Sequence, residues 1–156
     1  MDDLRALRRL RAASGDADNP SPEVLRDLMR GARRVAVIGL SRDPTKAARR
    51  VPSYLAAKGY DVVPVNPNAE RIMGKRAYPA LAEVEGAVDL VVIFRPTEEA
   101  GRFVRDAALR PERPAIWLQQ GIFAPEETAE ARAAGLVVVQ DMCTYQVHRA
   151  LQSAER

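Results

Sequence analysis

The chain carries a single cysteine, Cys143, among 156 residues. One thiol permits no internal disulfide and no Cys-rich metal site, and a reducing, cytoplasmic setting is the simplest expectation. Aromatic residues are scarce, at three Phe, four Tyr and one Trp, so the core must be filled by aliphatic side chains. No apolar run reaches the ~18 residues that a membrane span requires. The opening residues, Met1-Asp2-Asp3-Leu4-Arg5, lack the apolar segment of a signal peptide, and no membrane association is expected. Neither sign of charge dominates: 24 basic against 21 acidic residues leave a net charge of +3. Most of these charges are expected on solvated helix faces. No nucleic-acid partner is expected either, because such proteins concentrate a basic stripe with stacking aromatics.

What remains is an aliphatic chain long enough for one domain with one core. Residues 2–12 read as an amphipathic helix bearing Leu4, Leu7 and Leu10. The stretch Ser14 to Pro20 is a turn-rich connector. Ser21-Pro22-Glu23 offers an N-cap, a first-turn proline and an early acid, opening a helix to about Arg30 that Gly31 stops. Strand and helix then alternate. Five short apolar runs are predicted strands: Arg34–Gly39, Asp61–Val65, Asp89–Phe94, Pro114–Leu118 and Leu136–Val139. A helix whose first turn includes Pro52 follows the first strand, running to about Lys58-Gly59. Further helices are predicted over 79–84, 97–109 and 125–134, and from about 144 to the end.

This alternation predicts an α/β fold of Rossmann-like type, a doubly wound parallel five-stranded sheet between two helix layers, with strand order 3-2-1-4-5. Residues 1–30 are expected to form a helical extension packed on a single domain of residues 31–156. In such sheets ligands bind outside the carboxyl ends of the strands, where the strand order reverses. The loops there read Gly39-Leu40-Ser41-Arg42-Asp43-Pro44-Thr45-Lys46, Asn66-Pro67-Asn68, Arg95-Pro96-Thr97 and Gln119-Gln120-Gly121-Ile122. The first delivers the chain to a helix start, where backbone amides and the helix dipole favour phosphate. Lys46, Arg49 and Arg50 stand close by in sequence.

The dinucleotide fingerprint G-x-G-x-x-G is missing, since Ser41 and Pro44 occupy its second and third glycine positions. The second strand ends in Val65-Asn66-Pro67 instead of the acidic residue that accepts from a ribose hydroxyl. Both features count against NAD, and Arg71 alone supports NADP. An NAD(P)-dependent oxidoreductase or redox sensor stays as the alternative, because one fold serves many chemistries.

Taken together, Val35–Ser41, Pro44, Arg50-Val51, Tyr54-Leu55, Gly59-Tyr60, Val65-Asn66-Pro67 and Gly74 resemble the small, stand-alone CoA-binding domain proteins. Asp89-Leu90-Val91, Phe94-Arg95-Pro96, Trp117–Gly121 and Gly135–Val139 extend the likeness, which covers about Gly31 to Leu151. Those proteins are similar in turn to the CoA-binding domain of the succinyl-CoA synthetase α chain. The resemblance implies coenzyme A or an acyl-CoA as the small-molecule cofactor, lying across the strand ends. It implies that Gly39, Ser41, Arg42, Pro44 and Lys46 surround the phosphates, and that Val65, Asn66 and Pro67 meet the nucleotide. Phe94, Arg95 and Pro96 would line the crevice, and Gln119, Gln120 and Gly121 match a cofactor-contacting turn. Arg42, Lys46, Arg50 and Arg95 would supply charge-assisted hydrogen bonds.

The chain departs from the family's usual pattern in two places. Asp141-Met142-Cys143 and Val147-His148 stand where Asp-Arg-Cys and a Glu-His pair are usual. Asn68-Ala69 stands where the similar succinyl-CoA synthetase chain has a lysine, leaving Arg71 as the nearest cation.

No catalytic or metal-binding residues are assigned. Cys143 and His148 are the sole candidates for nucleophile and base, and a separation of five is not a face-sharing helical spacing. Cys143 is read as a half-buried small thiol, His148 as a surface or capping imidazole, Asp141 as a helix N-cap and Trp117 as core. The reading is of a binding module. Whether residues 2–30 cover a sheet edge, form a homodimer contact or meet an unidentified protein partner is left open by the sequence.

Overall fold

The structure is a computed structural model that describes residues 3–154. The predicted helix start at residue 2 and the last two residues lie outside them. Two helices come first, α1 (Asp3–Ala13) and α2 (Pro22–Gly31). The alternating core follows as β1 (Arg34–Ile38), α3 (Ala47–Ala57) and β2 (Asp61–Val65). A short ribbon, β3 (Arg71–Ile72) and β4 (Lys75–Arg76), precedes β5 (Leu90–Ile93) and α4 (Thr97–Ala108). The chain ends with β6 (Ala115–Leu118), α5 (Pro125–Ala133), β7 (Val138–Val139) and α6 (Thr144–Ala154).

The main sheet is five-stranded and parallel, as expected, with the order β2-β1-β5-β6-β7. Counting the five predicted strands alone, that is 2-1-3-4-5, so the expected order 3-2-1-4-5 is corrected. Two observations explain the placement. All four residues of β5 are buried, which suits a strand flanked by neighbours on both edges. The outer edge of β2 is already taken: Tyr78 bridges Val65, its N–H donating to the Pro64 carbonyl and its carbonyl accepting from the Asn66 N–H. Pro64, which has no N–H to offer, therefore faces the edge, where that lack is tolerated. The segment predicted as a helix over 79–84 makes a 3₁₀ turn alone, at Leu81–Glu83, and the β3–β4 ribbon was not foreseen.

Side chains alternate along each strand between two cores. Val35, Val37, Leu90, Val92 and Trp117 join Leu7, Leu25, Val51, Leu55, Val147 and Leu151 from α1, α2, α3 and α6. Ala36, Ile38, Val91, Ile93, Ile116 and Leu118 meet Ala100, Val104, Ala107 and Ala131 from α4 and α5. Trp117 is core, as predicted; its indole N–H donates to the Met142 carbonyl at 2.8 Å.

Helix α3 begins at Ala47, so Pro52 lies in its interior and not in its first turn. A proline there cannot donate to the carbonyl four residues back. The Ala48 carbonyl thus released accepts from the Ser41 N–H at 3.0 Å. A defect in the helix ladder becomes an anchor for the preceding loop.

The helical extension is sewn to the sheet through its connector. The Asn19 amide pairs with the backbone of Gln140 as a neighbouring strand would: Nδ2 donates to its carbonyl and Oδ1 accepts its N–H, both at 2.8 Å. Asp16 accepts from Arg132 Nη2 and Gln140 Nε2, each at 2.9 Å. Burial pushes the Asp16 carboxyl up. Hydrogen bonds from Arg132, the Asp18 amide and Gln140, with the Arg132 charge, outweigh burial and hold it below the ordinary range. A depressed carboxyl contributes stability that is present above its unfolded value and lost as pH falls through the folded value. Acid titration below about pH 4, the ordinary aspartate region, is therefore expected to loosen residues 14–20, read as faster amide exchange there. Asp16→Asn should flatten that pH dependence. Asn19→Ala should cost about 2–4 kcal/mol by urea unfolding followed through Trp117 emission, because it strands buried backbone groups of Gln140.

Candidate functional site

The connections leaving β1 and β5 diverge. The first passes through α3 on one face of the sheet, and the second passes through α4 on the other. The place where this strand order favours a ligand is therefore the space beyond the carboxyl ends of these two adjacent strands. Gly39 closes its floor. At φ +84 it brings the chain so near β5 that a Cβ there would stand 2.6 Å from the Phe94 carbonyl oxygen. Its N–H donates to the Val65 carbonyl of β2 at 2.9 Å, and the Phe94 N–H donates to the Ile38 carbonyl. Glycine is required by both the dihedral and the space.

The loop from Gly39 to Lys46 is ordered by its own polar groups. The Asp43 N–H donates to Ser41 Oγ at 3.0 Å, and Asp43 Oδ1 accepts from the Thr45 N–H and hydroxyl at 2.9 and 2.7 Å. Those Thr45 hydrogen bonds, with the nearby Lys46 charge, hold the Asp43 carboxyl below its ordinary range. Arg50 donates to the Thr45 carbonyl, and Arg49 donates to the Arg42 carbonyl and to Ser53 Oγ, both at 3.3 Å. Two of the expected cations thus brace the loop from inside α3. Arg42 and Lys46 are exposed on its rim. The first turn of α3 has neither a side-chain cap nor an acidic residue, and its Ala47 and Ala48 amides have no carbonyl within the helix to meet.

The other predicted residues divide. Val65 is buried in the sheet, while Asn66 turns its amide back to the Leu40 carbonyl at 3.0 Å and accepts the Asn68 N–H at 2.7 Å. Asn66 thereby joins the first and second loops and leaves Pro67 exposed. Phe94 and Arg95 are half-buried, and Pro96 is exposed at the start of α4. Arg95 is paired with Glu99, at 2.9 Å through Nε and 2.5 Å through Nη2.

Gln119 points inward. It is buried, and its Oε1 accepts the N–H and hydroxyl of Thr144, capping α6. Gln120 and Gly121 remain exposed. Asp141 does not cap that helix; its carboxylate accepts from the Gly121 and Gly15 amides. Cys143 and His148 line different hollows, the first beside Gln120 and the second beside Tyr60. His148 Nδ1 lies 2.7 Å from the Tyr54 hydroxyl.

Two features escaped the sequence reading. A groove of about 660 Å³ runs beside the second loop, lined by Pro67, Arg71, Arg76 and Pro79 among others, with the Arg76 guanidinium 4.6 Å from the Tyr78 ring centre. No sequence signal marks it, because the ribbon that walls it has two-residue strands. A basic hollow of about 190 Å³ lies near the opposite ends of β1 and β2, lined by Arg33, Lys58 and Tyr60. Burial, with the Tyr54 phenol nearby, pushes the Tyr60 hydroxyl up to about 12, so it stays protonated and donates to the Met29 carbonyl. Among the described residues no group of His, Cys, Asp and Glu could hold a metal ion. No helix among them is long and apolar enough to cross a membrane.

A family profile described as a CoA binding domain matches residues 33–149. The chain belongs to that CoA binding domain family. The protein YneT of Bacillus subtilis, itself described as uncharacterised, is 31% identical over 130 residues, covering 83% of this chain and 96% of YneT. The α subunit of an ADP-forming acetate–CoA ligase II of Pyrococcus furiosus is 42% identical over 65 residues, 41% of this chain, of which the match spans 14% of the subunit. Among solved structures, Prb, a protein redesigned for binding, superposes with a TM-score of 0.81 at 31% identity, covering 87% of this chain and 96% of Prb. A protein from Thermus thermophilus does so at 0.77 and 35% identity, covering 83% of this chain and 97% of that one.

The floor glycine meets backbone on one side and holds a left-handed dihedral, a sharp constraint on this chain. Gly39→Ala is expected to cost about 3 kcal/mol, from a left-handed dihedral together with a clash against backbone. Urea unfolding with Trp117 emission measures it, and a loss below about 1 kcal/mol contradicts the close approach.

Proposed function

We propose that this chain binds coenzyme A, or an acyl-CoA, across the carboxyl ends of β1, β2 and β5, with the diphosphate at the start of α3. The observation that carries the reading is the open first turn of α3 at the β1–β5 divergence, which has no acidic residue of its own and no side-chain cap, in a chain of the CoA binding domain family. Backbone amides and the dipole of a helix start attract phosphate, and Arg42 and Lys46 stand on the rim to add charge-assisted bonds. Gly39, Ser41 and Pro44 shape the cradle.

Val65, Asn66 and Pro67 border the nucleotide, and Phe94 and Pro96 form the facing wall. Gln120 and Gly121 approach from the β6 side; Gln119 serves as their buried footing. Arg50 and Arg95 join the ligand by exchanging the Thr45 carbonyl and Glu99 for phosphate oxygens. The chain acts as a binding module in this account, and Cys143 and His148 line separate hollows.

Calorimetry with CoA, dephospho-CoA and NAD tests the reading. CoA is expected to bind tightest, and Lys46→Ala to weaken it about fivefold to tenfold, on the order of 1 kcal/mol, with a shallower dependence on salt. No heat with CoA up to millimolar concentration, or tighter binding of NAD, overturns it.

A further inference from the structure

We infer that Asp141 is a positioning residue for the coenzyme site, and that the connector before α2 is a strap whose closure and CoA binding reinforce each other. The inference rests on the CoA reading above and concerns residues 14–20 and the turn after β6.

The Asp141 carboxylate joins two segments far apart in sequence. Oδ1 accepts the Gly121 N–H at 2.6 Å, and Oδ2 accepts the Gly15 N–H at 2.7 Å. Both are charge-assisted bonds to backbone, the stronger class. Asp141 holds φ +58 and Gly121 φ +84, so a non-glycine residue sits in the left-handed region at this junction. Such a conformation persists only when its surroundings over-determine it. The turn is held on its far side as well: Thr97 Oγ1 donates to the Gly121 carbonyl at 3.4 Å and accepts the Phe123 N–H at 3.2 Å. Thr97 opens α4 directly after Phe94-Arg95-Pro96, the crevice wall. An unbroken set of contacts therefore runs from Gly15 through Asp141 and the Gly121 turn to the lip of the crevice.

The connector fits this turn by shape. Gly15 lies against the Phe123 ring, so that a Cβ would meet its Cζ at 3.0 Å and Asp141 Oδ2 at 3.3 Å. Ser14 and Asn19 both bond the Gln140 carbonyl, one residue before Asp141. The strap is thus fastened on either side of the latch. The family profile begins at residue 33, so this fastening joins a segment outside the matched region to one inside it.

Coupling of this kind must be reciprocal. If the strap holds the turn in its binding shape, bound CoA must hold the strap. The experiment uses the full chain, with amide exchange at residues 14–19 and 119–123 and calorimetry with CoA, on the unmodified protein and on Asp141→Ala. Saturating CoA is expected to slow exchange of the Gly15 amide in the unmodified protein. Asp141→Ala should open both segments, weaken CoA about tenfold, the order expected for losing a charge-assisted bond, and abolish the effect of CoA on Gly15. Gly15→Ala, which crowds the latch and leaves the carboxylate intact, should shift affinity in the same direction by less, and it stands in if Asp141→Ala fails to fold. Unchanged CoA affinity in a folded variant whose strap has opened overturns this inference and leaves the CoA reading standing. Strap exchange that ignores CoA does the same. Absence of CoA binding by the unmodified protein removes both.

Discussion

The near-contact between Gly39 and the Phe94 carbonyl is the constraint on which the site depends. Here two parallel strands run side by side, send their continuations to opposite faces of the sheet, and part where the backbones approach too closely for a Cβ. A side chain there would push β1 and β5 apart at the place where the crevice floor forms. With glycine the floor is flat, and the next residues climb over it to start α3. The Ser41 amide then finds the Ala48 carbonyl that Pro52 leaves unused, so a helix imperfection and a strand-end glycine together shape one loop.

From that loop the electrostatics follow. Asp43 satisfies the Thr45 hydroxyl and amide, and Arg49 and Arg50 satisfy carbonyls of Arg42 and Thr45. The loop's own hydrogen bonds thus fold it without consuming the amides at the very start of α3. Its positive side is the helix start itself, with Arg42 and Lys46 at the margin. In the proposed complex this corner would meet phosphate through backbone geometry more than through side-chain number.

Much of this was legible in the sequence. Alternating apolar runs and Gly/Pro stops located all five main strands, because strands buried on both faces leave continuous aliphatic signatures such as Leu90–Ile93. Ser21-Pro22-Glu23 marked the start of α2, where Ser21 caps Val24 as its residue type suggests. The order of the sheet was not legible, since strand pairing depends on which edges are free. The Tyr78 segment, with no strand pattern of its own, closes the edge of β2 and leaves β5 to pair with β1. The inward turn of Gln119 and the bridging role of Asp141 were hidden for a similar reason: each is decided by a partner 20 or more residues away. Pro52 misled because a helix-interior proline is tolerable only when something else takes the abandoned carbonyl, and no local pattern announces that Ser41 will.

In the proposed complex the nucleotide's phosphates lie at the start of α3, between the ends of β1 and β5. Backbone amide chemical shifts recorded while CoA is added report on that placement residue by residue. The largest changes are expected at Leu40–Arg49 and Phe94–Thr97, with smaller ones at Gln120–Gly121. Changes centred on the basic hollow around Arg33, Lys58 and Tyr60, with the start of α3 unmoved, would contradict it.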